Sequence, residues 1–135
     1  TFNLGPCVRC FLHRDCLNFP PGACPIFVLG KFDYTRSAQL IIVEPKFIVE
    51  LMHGDLFIVL SSLLTHGNAP LLKGEERMSW TCWMAGGLVR WIAAGKRLVS
   101  ELKTEKMQRE YKREATRWEK RGWAALLSLE DLGKR

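Results

Sequence analysis

The order of hydrophobic and polar residues divides the chain into two parts of different character. Up to about residue 91, short apolar or alternating runs follow one another closely, and each is bounded by residues that favour turns. The predicted strands cover residues 7–12, 25–29, 39–43, 47–51, 55–60 and 78–84. Because no helical pattern lies between these runs, they predict an antiparallel sandwich or barrel and give no support to a βαβ layout.

From about residue 93 the hydrophobic spacing changes to that of a helix. Apolar residues recur at intervals of three to five among many charged ones: Leu98, Leu102, Met107, Tyr111, Ala115 and Trp118. Gly122 then predicts the C-terminal end of the helix. We therefore expect an all-β core over residues 1–92 and one amphipathic helix over residues 93–135, packed on that core within the same domain.

Composition sets the broad class of protein. The 135 residues leave room for one domain, and 47% hydrophobic with 25% charged residues is ordinary for a soluble globular chain. No apolar run approaches the roughly 20 residues that cross a bilayer, and the first residues lack the layout of a signal peptide. Five cysteines, an odd number, favour a reducing compartment over a disulfide framework. We expect a monomer that has no membrane partner.

The net charge of +6 is concentrated in the predicted helix. Residues 96–121 contain ten Lys and Arg against five Glu, a net charge of +5. Such a segment can bind phosphates by releasing counterions. A solvated helix with Glu and Lys four residues apart explains the same pattern. The charge is therefore compatible with a nucleic-acid partner without requiring one.

Two histidines and a carboxylate have the pattern of a metal site. His13 and Asp15 form an H-x-D motif at the end of a predicted strand, and residues two apart lie on one face of an extended chain. His66 follows 53 residues later, directly after an apolar stretch. Two imidazoles and one carboxylate form the facial triad of non-haem iron(II) oxygenases, which leaves positions open for a co-substrate and O₂. These three residues are the predicted iron ligands and the predicted catalytic centre.

A second H-x-D motif, His53-Gly54-Asp55, competes with the first. It lies only 13 residues before His66, which is too short for the strands that must run between the two ends of such a site. The 53-residue interval from His13 has room for about four strands. The second motif also has the composition of a turn that enters a strand, so we assign the ligands to the first.

Arg77 and Ser79 are the predicted contacts of the co-substrate. The compound 2-oxoglutarate chelates iron through its keto-acid end, so its distal carboxylate needs a cation at a fixed distance. An arginine fork meets this need because bidentate pairing sets both geometry and charge. Ser79 is two residues beyond Arg77, so its hydroxyl shares the same face of a strand.

Several motifs together resemble a known family. They are FNLGP (residues 2–6), HRDCLN (13–18), LGKFDYTRSAQLII (29–42), SSLLTHGN (61–68), GEERMSW (74–80) and AGGLVRWIAAG (85–95). In this order and spacing, they resemble the large fungal branch of the TET/JBP oxygenases from residue 1 to about residue 97. The resemblance implies a double-stranded β-helix (jelly-roll) fold. It also implies oxidation of a methyl group on DNA, above all of 5-methylcytosine to 5-hydroxymethylcytosine, and therefore residence in the nucleus.

The resemblance also assigns roles to single residues. The family's iron ligands and co-substrate contacts match His13, Asp15, His66, Arg77 and Ser79. Asn18 matches an asparagine that helps to hold a base flipped out of the duplex, and Trp83 stands where the family usually has a tyrosine that packs on that base. Ala85 occupies the position of a base-contacting histidine of the animal members, so that contact is absent.

Other interpretations remain open from the sequence. The family pattern has two glycines and a histidine at residues 37–39, Trp-Asp at residues 43–44 and Gln-Tyr at residues 82–83, whereas this chain has Ser-Ala-Gln, Val-Glu and Cys-Trp. These changes favour a catalytically degenerate module that binds nucleic acid or protein through its basic helix. An oxygenase acting on N6-methyladenine, on RNA or on a substrate other than nucleic acid would keep the same metal ligands.

The cysteines raise the hypothesis of a zinc site. Cys7 and Cys10 are three residues apart on a predicted strand, where their side chains point to opposite faces. Together with Cys16 and Cys24 they do not form a pair of C-x-x-C knuckles. Buried free thiols explain these cysteines better.

Overall fold

The computed structural model describes residues 1–126 and 128–134 and contains seven short strands followed by helices. The strands are β1 (Phe2–Asn3), β2 (Cys24–Lys31), β3 (Leu40–Ile42), β4 (Phe47–Val49), β5 (Leu56–Val59), β6 (His66–Asn68) and β7 (Glu76–Thr81). The helices are α1 (Gly86–Ala93), α2 (Glu105–Ala124) and α3 (Leu129–Leu132), with a 3-10 turn at Val99–Glu101. The chain divides into two compact units: unit 1 comprises Thr1–Trp83, and unit 2 comprises Met84–Arg135. The predicted β-rich core followed by a C-terminal helix is confirmed.

Unit 1 contains two antiparallel sheets that share one hydrophobic core. The strand orders are β1-β7-β2-β5 and β4-β3-β6. Strand β2 alternates between buried and half-buried residues, because successive side chains of a strand point to opposite faces. Its buried residues Cys24, Ile26 and Val28 join Leu40 and Ile42 of β3 in a single cluster. The inner faces of both sheets therefore meet in the core, and β6 and β7 belong to different sheets.

Residues 7–12 do not form the strand that their apolar pattern predicts. Their backbone bonds are divided between two strands: Val8 N donates to Arg77 O of β7 at 3.0 Å, and Cys10 O accepts from Asn68 N of β6 at 3.0 Å. A segment that contacts two sheets in turn cannot form a continuous ladder with either. This crossing places the residues that follow, including His13, beside β6.

Strands β1 and β6 were not predicted because each is too short to show a period. β1 has two residues, and β6 has three, His66, Gly67 and Asn68, all of them buried. A polar His-Gly-Asn sequence resembles a turn, and only its pairing with β3 makes it a strand.

Unit 2 is helical, but the single helix predicted from residue 93 is divided: α1 begins earlier, at Gly86, and α2 begins only at Glu105. Helix α2 starts where the Thr104 hydroxyl accepts a hydrogen bond from Met107 N at 3.3 Å, a standard N-cap. The helix continues through Gly122 to Ala124, two residues beyond the predicted stop. In residues 1–126 and 128–134, no helix has the length and apolar character needed to span a membrane. The packing of this helix on the β core as one domain stays a prediction.

Candidate metal centre

Three potential metal ligands from distant parts of the sequence lie together in unit 1. Single donor atoms of His13, Asp15 and His66 lie within 4.8 Å of one another, and no other such group occurs in the described residues. His13 Nε2 is 3.6 Å from Asp15 Oδ1, and the two imidazole centroids are 4.6 Å apart. His66 is 5% exposed, whereas the side chains of His13 and Asp15 are 45% and 20% exposed. The cluster therefore opens to solvent on the side of the H-x-D motif.

A backbone bridge brings the two histidines together. His13 N donates to His66 O and His66 N donates to His13 O, both at 2.9 Å. Cys10 N also donates to the side-chain Oδ1 of Asn68 at 2.7 Å, which fixes the same segment against β6. Gly67 permits this approach, since a Cβ at that position would lie 2.9 Å from Cys10 O. The geometry of the cluster thus depends on a residue without a side chain.

Backbone carbonyls orient both imidazoles so that Nε2 is the atom available to a metal. His13 Nδ1 is 2.7 Å from Phe11 O, and His66 Nδ1 is 2.9 Å from Leu64 O. A backbone carbonyl can only accept a hydrogen bond, so each Nδ1 carries a proton, and in the neutral imidazole the lone pair is then on Nε2. Metal-binding histidines in proteins are commonly oriented in this way. Two imidazole Nε2 atoms and one carboxylate are a donor set that can hold a metal ion.

The carboxylate of Asp15 is supported by Asn18 and Ser61. Asn18 Nδ2 lies 3.4 Å from Asp15 Oδ2 and donates to Ser61 Oγ at 3.1 Å. Ser61 is fully buried, and its backbone oxygen accepts from Asp15 N at 2.9 Å. The amide of Asn18, which the resemblance assigns to a flipped base, is therefore directed at the predicted metal ligand in this structure.

Glu44 fixes the residue before His66. Its two carboxylate oxygens accept from Thr65 N and Thr65 Oγ1, both at 2.7 Å. The hydrogen bond from the Thr65 hydroxyl, with smaller contributions from backbone N–H groups and Arg14, lowers the pKa of Glu44. Glu44, which stands where the TET/JBP pattern has an aspartate, thus orders the turn that leads into β6.

Arg77 is a buried cation that forms no salt bridge with any of the described residues. It is 4% exposed, its Nη1 donates to Val8 O at 3.3 Å, and its Nε has no hydrogen-bond partner in the described part of the chain. Burial lowers the pKa of the guanidinium, and the nearby Cys10 acts in the opposite direction. An isolated buried charge is costly unless it is paired. This arrangement is suited to receive an anionic group.

A cavity of about 180 Å³ connects the metal ligands with this cation. Its lining includes His13, Asp15, His66, Arg77, Ser79 and Trp83. Ser79 is 4% exposed and its Oγ accepts from Asn3 Nδ2 at 3.1 Å, whereas Trp83 is 54% exposed. Six of the seven residues predicted for the site therefore meet in one cavity. The seventh, Asn18, reaches it only through Asp15.

Sequence reasoning missed three polar residues of the same cavity: Asn3, Asn68 and Thr81. Thr81 could have been found, since it extends the two-residue period of Arg77 and Ser79 along β7. Its buried Oγ1 has no partner among the described residues. Asn3 and Asn68 reach the cavity because β1 pairs with β7 and β6 pairs with β3, and the sequence pattern does not predict these pairings.

The competing H-x-D motif has a structural role. His53 Nδ1 accepts a hydrogen bond from Gly30 N at 3.0 Å, and Asp55 Oδ2 accepts from Met52 N at 2.8 Å. Both side chains thus order a turn.

All five cysteines are free thiols, but only Cys24 is buried, so the prediction of buried thiols is correct for that residue and wrong for the other four. Burial is the largest cause of the raised pKa of Cys24.

Comparison with known proteins gives no family assignment. No protein-family model matches the sequence, and no curated protein matches it at a significant level.

Proposed function

We propose that this protein is an iron(II)- and 2-oxoglutarate-dependent oxygenase that hydroxylates a methyl group on a DNA base. The observation that carries the proposal is one cavity with two chemically different regions. One region has a carboxylate and two imidazole donors, and the other has a buried guanidinium whose Nε has no hydrogen-bond partner among the described residues. A metal-bound 2-oxo acid with a distal carboxylate satisfies both regions at once.

In this proposal, different residues of the cavity bind the metal ion, orient its ligands and bind the co-substrate. When bound, iron(II) and 2-oxoglutarate supply the oxidation, in which one atom of O₂ goes to the methyl carbon and the other to succinate as CO₂ leaves. His13, Asp15 and His66 hold the ion, and their backbone and Asn18 contacts keep the donor atoms aimed at it. Arg77 pairs with the distal carboxylate, which offsets the cost of burying its own charge.

A base is the proposed substrate because of Trp83 and the resemblance to the TET/JBP oxygenases. An indole at the edge of the cavity provides a flat surface on which an extruded base can stack. The two facing antiparallel sheets are compatible with a double-stranded β-helix, and we assign the core to that fold on the same grounds. The preferred base is 5-methylcytosine, and the protein would then act in the nucleus.

The test is an anaerobic titration of the purified protein with iron(II) and 2-oxoglutarate, followed by the visible metal-to-ligand charge-transfer band. We expect a band in the wild type and none in His66→Ala. The matched control is His53→Ala, which removes the histidine of the competing motif and should keep the band. A folded wild-type protein without a band would overturn the oxygenase assignment and favour a degenerate binding module.

Substrate identity needs a second experiment, with air, both cofactors and duplexes that contain 5-methylcytosine or N6-methyladenine. Mass spectrometry should detect the gain of one oxygen atom on 5-methylcytosine and an equal amount of succinate. Oxidation of N6-methyladenine alone would reassign the base. Succinate production without any change in DNA would indicate a substrate other than nucleic acid.

A further inference from the structure

Helix α2 carries seven exposed cations on one side. They are Lys106, Arg109, Lys112, Arg113, Arg117, Lys120 and Arg121, which we call the basic face. Four of them are arginines at successive four-residue intervals, so they form one ridge along the helix. The half-buried Met107, Tyr111 and Trp118 lie on the opposite side. Between Lys106 and Lys120 no large apolar side chain interrupts the basic face, whereas at its C-terminal end Arg121 lies over the Trp118 ring and Trp123 is exposed.

The charges of the basic face are poorly neutralised within the chain. In the described residues, carboxylates within 4.0 Å are found for Arg109, Arg113 and Arg117, at 3.4, 3.8 and 3.7 Å. These pairs are exposed, and such pairs stabilise a protein by about 0–1 kcal/mol at most. The other four cations have no such partner there. Like charges four residues apart also destabilise a helix by a few tenths of a kcal/mol per pair.

We propose that the basic face binds the phosphate backbone of a duplex nucleic acid, without reading its sequence. The cations extend over fifteen residue steps, or about 22 Å at 1.5 Å per residue. One strand of a duplex presents a phosphate every 3.4 Å or so along the axis, hence about six to seven over that length. Seven cations are enough to pair with those phosphates that face the helix, and guanidinium forks pair bidentately with phosphate oxygens.

Two other classes of partner fit the basic face less well. A membrane-surface helix inserts the apolar side chains of its opposite face into the lipid, and here Met107, Tyr111 and Trp118 on that face are already half-buried within the protein. Protein interfaces depend on aromatic anchors, and the basic face has none between Lys106 and Lys120. Regularly spaced cations with no apolar residue among them are typical of contacts to a repeating anion. The inference rests on unit 2 alone and does not depend on the chemistry of the cavity.

The test measures the affinity of the whole protein for a labelled duplex of arbitrary sequence at increasing salt, by fluorescence anisotropy. With seven phosphate contacts, the wild-type affinity should fall by about 10³–10⁴-fold between 50 and 200 mM salt. In a triple variant, Arg113→Gln, Arg117→Gln and Arg121→Gln, it should fall only about 100-fold. The slope of log affinity against log salt should thus decrease by about 3. Glutamine keeps nearly the helix propensity of arginine, and circular dichroism confirms the helix.

The matched control removes three exposed cations from unit 1 instead: Lys31→Gln, Arg36→Gln and Lys73→Gln. Its slope should equal that of the wild type. An equal loss in the control, an unchanged slope in the triple variant, or displacement of DNA by polyglutamate at equal charge would each overturn the inference. DNA and RNA duplexes are compared in parallel, and salt-sensitive binding of either supports a backbone contact. The iron and 2-oxoglutarate band of the triple variant reports on the cavity separately, so failure of either proposal is distinguishable from failure of the other.

Discussion

Gly67→Ala tests how the fold brings the three predicted metal ligands together, and it alters none of the ligands themselves. A Cβ at this position would lie 2.9 Å from Cys10 O and 3.0 Å from both Leu12 N and the carbonyl carbon of Phe11. Ordinary contacts of a Cβ are 3.4 Å or longer, and all three neighbours are backbone atoms. The segment that contains residues 10–12 must therefore move away from β6 by several tenths of an ångström.

The cost follows from what holds that segment in place. Overpacking of this kind costs about 1–3 kcal/mol. The movement also stretches the hydrogen bonds between His13 and His66 and between Cys10 and Asn68. Each hydrogen bond contributes about 0.5–1.5 kcal/mol to the free energy of unfolding. We expect the free energy of unfolding to fall by about 2–4 kcal/mol in total. Because His13 shifts relative to His66, the affinity for iron(II) should fall about 10–100-fold.

Urea denaturation followed by circular dichroism gives the free energy of unfolding, and the charge-transfer titration gives the metal affinity. The control is Gly5→Ala, where an added Cβ meets only Val8 Cγ2 at 3.9 Å, an ordinary contact. Its stability should stay within about 0.5 kcal/mol of the wild type. A Gly67→Ala protein as stable as this control, with wild-type metal affinity, would refute the argument that the close approach needs a glycine.

Three further predictions concern the surroundings of the cluster. Asn18→Ala should lower iron(II) affinity about tenfold or more in the same titration, because the carboxylate of Asp15 loses its side-chain donor, while affinity for methylated DNA changes less. Arg77→Lys should bind 2-oxoglutarate about 10–100-fold more weakly, since it lacks the bidentate fork, while iron(II) affinity is kept. Glu75→Gln should destabilise the protein most near neutral pH. Its carboxylate accepts from Asp33 N, Ser37 Oγ and Leu72 N, and these bonds hold its pKa below the ordinary value, those to Asp33 and Ser37 most strongly.

Each of these has a result that would contradict it. For Asn18→Ala, a large loss of DNA affinity with normal iron(II) binding would indicate that Asn18 contacts the flipped base, as the resemblance implies. For Arg77→Lys, unchanged 2-oxoglutarate affinity would exclude the guanidinium from the co-substrate site. A carboxylate with a lowered folded-state pKa stabilises the protein above its unfolded pKa, about 4.3, and this is lost as pH falls through the lower value. The difference in free energy of unfolding between wild type and Glu75→Gln should therefore shrink in acid. A difference that is independent of pH would contradict this prediction. The control is Glu76→Gln, at the exposed neighbouring residue.

The sequence by itself determined which groups are available and which of them share a face. An H-x-D spacing places His13 and Asp15 on one side of an extended chain, and the same two-residue period links Arg77, Ser79 and Thr81 along β7. The change from short apolar runs to helical spacing predicted the β-rich part and the helix. These features are local, because the period of a strand or a helix is set by backbone geometry within a few residues.

Only the tertiary structure decided which of these groups meet. The approach of His13 to His66 depends on the bridge to β6, on the missing side chain at Gly67 and on a segment that passes from one sheet to the other. The Asn18 amide is held by Ser61, 43 residues away in the sequence, and Arg77 Nε has no hydrogen-bond partner among the described residues; both result from packing between distant parts of the chain. Pairing between distant segments depends on the register and packing of the whole core. A short polar strand such as β6 therefore has no signature in its own residues.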